Sequence, residues 1–588
     1  MKREPEPLPP NRNTRDRAMA LWVWLLALVV IRAALVPAPG TWVWSLQGLR
    51  FTAPALGSVL MALAALALLP PVARWQAPAF ERIGAASERG MGMAIVLAIA
   101  AMACVAALPD RTWYVGDFLL RAGALESGRD IATISPQSLP LDRLLHIDLP
   151  RRLAGWGWAA DAPQAARWLG AVEAGGLAVA ALALARELSA GSGAALPVTL
   201  VLLGGSTLAL FTGYAKCPGD LCLLTLLFAC FGIRLLRAGR SAVGFSAALM
   251  LALATHRSSL ILAPAWATTL WVAWRTGRIR ARDPRFLAAT LAPLALLAVW
   301  APRFARVLLG FDLTRHLGGP EVRGAGGPLA AALAPLHLLD MLNVVLAYAP
   351  LAPVAALLLA RLVRDRRPPS HDVVAPAAVL AFAIPALAML LLVHPQQGLF
   401  RDWDVFAIPG TVFAILSAAA LASSAPQALT PGLSVALAFG AVLSAGLWLG
   451  PAADTDRGLA QAHAFAKGPP ARSPSERGKT WEFLGDRNAA LGRWDDAALS
   501  LDQAIVDQPT PRLFRMLGVA EAQRGRYEAS EAAIFEAARR DPGDTTTWAV
   551  LVSTAMKRRD SAMVRLAAGE LLRRSPNSPL AREALGLP

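Results

Sequence analysis

Residues 394–410 read HPQQGLFRDWDVFAIPG, and His394, Arg401, Asp402 and Asp404 crowd the gap there between two apolar runs. Carboxylates in such a place can take up a proton or orient a cation, while a guanidinium or imidazole can meet a developing negative oxygen. Three other stretches carry similar chemistry: PDRTWYVGDFLLR with Asp110 and Asp117, GYAKCPGD with Lys216, and THRSS with the adjacent pair His256–Arg257. That pair is the least expected, because each residue makes the other harder to charge unless an anion lies nearby. Every one of these residues also has a plain reading. An interfacial Lys or Arg usually snorkels, an Asp beside a helix start is as readily a cap as a base, and Arg401 beside an Asp can simply close a bundle. Functional weight comes from convergence, since ionisable groups gathered at one membrane face are costly and usually functional.

The elements that must position these groups are apolar. The chain has 588 residues, 55% hydrophobic and only 17% charged, with mean hydropathy +0.46, a composition too greasy for a soluble protein of this length. Apolar runs near the length of a bilayer span number about thirteen, at 18–36, 51–73, 91–108, 166–185, 194–214, 219–236, 241–255, 258–274, 286–301, 336–360, 373–393, 405–424 and 431–450. The expected fold is therefore all-α, a polytopic helical bundle over 18–450 preceded by a basic tail over 1–17.

Basic residues set the expected orientation. Lys2, Arg3, Arg12, Arg15 and Arg17, then Arg234/Arg237/Arg240, Arg275/Arg278/Arg280/Arg282/Arg285 and Arg361/Arg364/Arg366/Arg367, all fall on the cytoplasmic side if the chain starts inside and alternates. The net charge of +16 is then mostly a topology signal and not a nucleic-acid footprint. The opposite face receives 109–165, 213–220, 255–259, 302–335 and the 394–404 loop, so all the candidate residues are expected outside the cytoplasm. Apolar residues in 109–165 recur at three- and four-residue steps, as in helices lying along the interface, with Trp113, Tyr114, Trp156 and Trp158 suited to the headgroup layer. Four cysteines are present: Cys104 and Cys230 fall in spans, and Cys217 and Cys222, although an oxidising compartment could join them, are expected to be free thiols.

The C-terminus is a different kind of polymer. After a Gly/Pro/Ser/Arg-rich stretch at 451–477, read as a linker, Trp481, Leu484, Gly485, Gly492, Trp494, Ala497, Leu501, Ala504 and Pro509 stand at tetratricopeptide spacing. The pattern returns as Leu517, Gly518, Gly525, Tyr527, Ile534, Ala537 and Pro542, and again as Trp548, Leu551, Val564, Ala568, Leu571 and Pro576. Residues 478–588 are thus expected to form about three repeats of a helical solenoid. Sixteen Lys/Arg stand against fifteen Asp/Glu there, so the module is near neutral and suits rigid packing, complex assembly or a protein partner in a short groove.

The layout of many spans with a large outer loop of interfacial helices carrying an Asp resembles the C-type (GT-C) membrane glycosyltransferases over roughly residues 90–450. More closely, the order YVGD, GYAKCPGD, THRSSLILAP and HPQQGLFRDWDVFA, with RDWDVFA the most specific part, resembles bacterial glycosyltransferase-like membrane proteins with tetratricopeptide tails. Two spans precede the acidic loop where better-known members have one, and Gly116 rather than an acid precedes Asp117. The resemblance implies transfer of a sugar, with inversion, from a polyprenyl-phosphate donor to a cell-envelope acceptor (glycan, lipid or protein) on the periplasmic side of a bacterial inner membrane. Asp117 would be the general base, with Asp110 as the alternate. Lys216, His256, Arg257, His394 and Arg401, with Asp402 and Asp404, would hold donor phosphate and sugar. No cofactor is required, although a divalent cation is possible at the carboxylates. Two other classes stay open: a multi-span lipid or sugar transporter, which would favour internal symmetry and helices broken at mid-bilayer, and a membrane-anchored scaffold for the repeats.

Overall fold

A computed structural model describes residues 12–127, 138–190, 193–364, 376–424 and 429–587; Lys2, Arg3, Arg366 and Arg367 lie outside the described residues. Regular structure among the described residues is helical throughout. The chain divides into two compact units: Met1–Ala38, Trp42–Pro395 and Leu399–Gly458 make one, and Pro39–Thr41, Gln396–Gly398 and Leu459–Pro588 make the other.

Several helices of the first unit are long and apolar enough to cross a membrane. Six qualify singly among the described residues, and eight if two bent pairs each count as one. That is fewer than the thirteen expected, because hydropathy counts residues and ignores breaks. The run 194–214 is divided into an Ala195–Leu203 helix and a Thr207–Phe211 3-10 turn. The run 258–274 is likewise an Arg257–Leu262 3-10 turn followed by a helix, Ala263–Arg275, of only 13 residues. Met91–Ala107, Ala242–Thr255 and Pro376–Leu392 are apolar but short. Two other runs bend sharply: Pro54–Ala67 meets Pro70–Glu88 at 88°, and Pro335–Tyr348 meets Ala352–Ala360 at 94°. Proline explains both bends, since Pro70 and Pro350 push the residue before them out of the helical region.

Small residues decide how the spans pack. On Ala162–Ser189, Ala174, Leu177, Ala178, Ala181, Leu184 and Ala185 are buried at helical spacing. A Cβ on Gly175 would lie 3.1 Å from Met102 Sδ and 3.5 Å from the Ala98 carbonyl oxygen, so the bare glycine admits the Met91–Ala107 helix. By contrast, the Pro284–Val307 helix has only 6% of its apolar window buried and exposes Leu291 and Val299, a surface suited to lipid. All four cysteines are free, as expected, and Cys217 and Cys222 are buried.

In the second unit the hairpins are Pro474–Ala490 with Trp494–Asp507, Pro511–Gln523 with Tyr527–Arg540, and Thr545–Arg558 with Ser561–Arg574, closed by Pro579–Ala584. Glycine sets the spacing within two of them: a Cβ on Gly485 would meet Leu501 Cγ at 2.6 Å, and one on Gly518 would meet Ile534 Cγ1 at 2.3 Å. Ion pairs join helices within a hairpin (Arg477–Asp507) and between neighbouring hairpins (Arg512–Glu482, Arg515–Asp544 and Arg558–Glu531). The stretch 451–477 corrects the sequence reading. It is not an open linker: Thr455–Lys467 is helical and buries Leu459, Ala462, Phe465 and Ala466. Its Pro and Gly residues stand at the helix ends, which made the whole stretch look irregular.

Gly518→Val forces a side chain into Ile534 and is expected to destabilise the repeats by about 1–3 kcal/mol. In the intact protein, limited proteolysis within 474–587 should then run roughly five-fold faster or more, as the open population rises. An unchanged cleavage rate would show that the hairpin can spread at little cost.

Candidate functional site

Three loops of the first unit meet around one glycine. Asp110 Oδ1 accepts hydrogen bonds from the backbone N–H groups of Thr112 and Trp113, both at 2.8 Å, and so folds the turn that follows Met91–Ala107. Three residues beyond Trp113, the Gly116 N–H donates to the Arg401 carbonyl oxygen at 2.8 Å. Gly116 has φ 48°, and a Cβ there would lie 2.5 Å from Tyr214 Oη and 2.8 and 2.9 Å from the Asp404 carboxylate oxygens. Only glycine fits both the backbone and the space. The YVGD, GYAK and RDWD stretches are thereby brought together.

At their junction the polar groups form a closed chain. The Asp117 N–H donates to Tyr214 Oη at 3.1 Å, and the Tyr214 hydroxyl donates to Asp404 Oδ2 at 2.8 Å. Lys216 Nζ lies 3.2 Å from Asp117 Oδ2 and 3.2 Å from Asp404 Oδ2. Aromatic rings floor the site: Trp113 stacks on Phe118 at 5.9 Å, Phe118 stacks on Tyr214 at 5.2 Å, and the Arg401 guanidinium lies 5.7 Å from the Tyr114 ring centre. The Asp404 side chain is 0% exposed, that of Lys216 is 15% and that of Asp117 is 31%. The open carboxylate is Asp117.

Electrostatics sort the three acids. Lys216 holds the Asp117 carboxyl below its usual range against the opposing effect of burial, with Arg121 and Arg401 adding to it. Burial works against the Lys216 charge as well, but Asp117 and Asp404 overcome it and hold the ammonium well above the ordinary lysine range. Asp402 is buried beside two carboxylates; burial first, then Asp404 and Asp117, push it up to about 8, so it carries a proton at neutral pH. Lys216 Nζ thus bridges Asp117 and Asp404.

The remaining candidates have partners of their own. Arg257 makes a bidentate pair with Asp312, Nε to Oδ2 at 2.6 Å and Nη2 to Oδ1 at 2.7 Å, and lies over the Phe311 ring. His256 Nδ1 accepts from the Ser258 N–H at 3.2 Å, capping the 3-10 turn, and its Nε2 lies 3.2 Å from Arg257 Nη1. Burial, then Arg257, then the Lys216 charge push His256 well below its ordinary value, so the ring is neutral. His394 stands apart: its ring packs on His337 at 4.0 Å, and burial with that neighbour pushes it down to about 4. Asp110 serves its turn. The core of the site is therefore Asp117, Lys216, Arg401 and Asp404, with Asp402 alongside.

Sequence reading missed Tyr214, which stands two residues before Lys216 in GYAK, and Asp312, in the GFDLTRH part of the 302–335 loop. It also missed Arg121, one helical turn beyond Asp117, whose Nη2 is 2.9 Å from Asp142 Oδ2.

No family model and no curated protein matches the chain. Among solved structures, the crystal structure of the APC/C hetero-tetramer Cut9–Hcn1 aligns with 80% of this chain and 95% of that one at 13% identity and a TM-score of 0.20. So low a score describes two helical chains and not a shared architecture.

Asp402 generates a pH dependence whose sign is fixed. An aspartate in the unfolded chain titrates near ~3.9, whereas Asp402 in the folded chain holds its proton up to about 8. Its contribution to stability is full below the lower value and is lost as pH rises through the upper one. The unfolding temperature in detergent should fall from pH 5 to pH 9, and Asp402→Asn should flatten that fall. An equal slope in the variant would assign the proton to another group.

Proposed function

We propose that the chain is a membrane glycosyltransferase that moves a sugar from a polyprenyl-phosphate donor to an acceptor hydroxyl, with inversion, at the periplasmic face of a bacterial inner membrane. The observation that carries this reading is the half-open Asp117 carboxylate, oriented by Lys216 and backed by Tyr214 and Asp404. Residues from loops remote in the chain form this arrangement, in the stretches that resemble GT-C enzymes.

In this reading Asp117 accepts the acceptor proton as the hydroxyl attacks the anomeric carbon, and the bond to the phosphate oxygen breaks. A carboxylate held low by Lys216 is fully ionised at neutral pH but a weak base. It suits a transition state in which the sugar is already oxocarbenium-like and the attacking hydroxyl has become acidic. The departing phosphate needs cations: Arg401, which lies over Tyr114 and whose charge reaches Asp117, is the candidate, while Arg257 over Phe311 is held by Asp312. The basic N-terminal residues support a cytoplasmic N-terminus, and the reading places the repeats on the far side, which needs an odd number of crossings. Near neutrality of the repeats suits a protein partner in complex assembly.

A transporter is the second reading, and the two bends of 88° and 94° favour it, since broken helices build transport sites. Vesicle uptake without formation of a new glycosidic bond would select it.

In nanodiscs with radiolabelled polyprenyl-phosphate sugars, Asp117→Asn is expected to lower turnover by about 10²–10⁴-fold while the protein stays folded. Undiminished turnover would remove Asp117 from the chemistry. Lys216→Met takes away the charge that depresses Asp117, so the acid limb of the kcat/KM profile should move to higher pH. A limb that stays in place would show that another group governs it.

A further inference from the structure

Beside the Asp117 site, three ionisable side chains from three elements converge. His146 lies in the Leu144–Asp148 turn, Glu173 in the middle of the Ala162–Ser189 helix, and Asp220 in the first turn of Pro218–Ala238. One donor atom from each falls within 4.8 Å of the other two. His146 Nε2 is 3.2 Å from Asp220 Oδ2. Ligand atoms on a common divalent ion, each about 2.0–2.2 Å from it, stand roughly 3–3.6 Å apart, so this edge already has the right length.

The histidine is oriented for coordination. Its Nδ1 lies 3.1 Å from the Asp142 carbonyl oxygen and 3.2 Å from Asp142 Oδ1. Nδ1 thus has oxygen acceptors for its N–H, and Nε2 faces Asp220; with no ion between them, Asp220 and Asp142 hold the imidazole protonated well above its ordinary range, against the opposing effect of burial. Asp142 is fixed in turn by Arg121. Metal-bound histidines are commonly held in this way, by an oxygen acceptor on the far ring nitrogen.

At most one positive charge, on His146, stands against the two carboxylates. Asp220 is 6% exposed, and its Oδ2 is buried without a hydrogen bond. No hydrogen bond to Glu173 is made by any described residue. A lone pair on Nε2 facing a carboxylate oxygen is repulsive unless a cation lies between them. A second proton on His146 would serve Asp220 alone and leave Glu173 uncompensated. One divalent cation would satisfy all three, because a neutral imidazole and two carboxylates sum to −2.

We propose that His146, Glu173 and Asp220 bind one divalent transition-metal cation of the Zn2+ class, clamping the 140–155 segment to two long apolar helices. Mixed nitrogen and oxygen donors favour zinc or manganese over calcium or magnesium. The clamp is independent of the transferase reading. It would steady Lys216, four residues before Asp220, and Asp117, four residues before Arg121.

The test uses the full-length, tag-free protein in nanodiscs, stripped with chelator and titrated with Zn2+ and, separately, Mn2+. Metal content and calorimetry should show about one equivalent bound at a protein-specific affinity, and the unfolding temperature should rise with bound metal. Glu173→Gln, which has no hydrogen bond to lose, and His146→Ala should abolish both the equivalent and the thermal shift. Asp142→Asn should weaken binding about 10–100-fold, as for loss of an outer-shell partner. Folded protein that binds neither ion, or binding unchanged in Glu173→Gln and His146→Ala, overturns the proposal; the first result would make His146 a buried imidazolium between Asp142 and Asp220.

Discussion

The ammonium of Lys216, buried between two carboxylates, is the interaction on which the rest of the site depends. Taking a cation and its partners out of water costs several kcal/mol per ion, and only close, well-oriented partners offset it. Lys216 has them in Asp117 and Asp404, each 3.2 Å away. Removing the cation would leave two carboxylates facing one another over the Tyr214 hydroxyl. The geometry exists because Gly116 has no side chain, so the backbone of one loop can lie against the acid of another. A partly exposed carboxylate, its counter-ion and a buried anchor thus come from three segments, none of which contains the whole.

The surrounding bundle holds those segments by the same logic of close approach. Tyr348 stands at the bend between Pro335–Tyr348 and Ala352–Arg364. A Cβ on Gly205 would meet the Tyr348 carbonyl oxygen at 2.4 Å, and one on Gly410 would meet its ring at 2.2 Å. The Tyr348 ring also packs edge-on against Trp403, inside the RDWD stretch. Breaks in apolar runs are therefore part of the packing. Polar pairs then fix helix rotation: Trp44 Nε1 donates to Asp340 Oδ1 at 2.8 Å, Asn343 binds Ser45, and Arg32 Nη2 donates to Ser444 Oγ at 2.7 Å. In an apolar surround such groups tolerate few alternatives.

The second unit works differently. The first two hairpins repeat one local solution, a glycine opposite a branched aliphatic residue, and the charged residues pair along the ladder. Its interactions are short in sequence, so its architecture is written locally. That is why the repeats at 33 and 34 residues were readable, whereas the helix Thr455–Lys467 ahead of them was not: it belongs to no repeat, and its Pro and Gly neighbours masked its apolar face.

From the sequence alone came the all-α class, the apolar character of the first unit, the repeats, and the residue types from which Asp117, Lys216, Arg401 and Asp404 were picked out. These depend on composition and on periods of a few residues, which survive without coordinates. Tertiary structure alone decided that Lys216 bridges two acids, that Arg257 is occupied by Asp312, that His394 sits against His337, and that His146, Glu173 and Asp220 converge. It decided too that, among the described residues, thirteen apolar runs yield six to eight helices, or bent pairs of helices, long and apolar enough to span. The physical reason is range. Hydropathy and helical period are sums over neighbours in the chain, whereas a charge's partner, and hence its protonation and its role, lies in whichever distant segment the packing brings within a few ångströms.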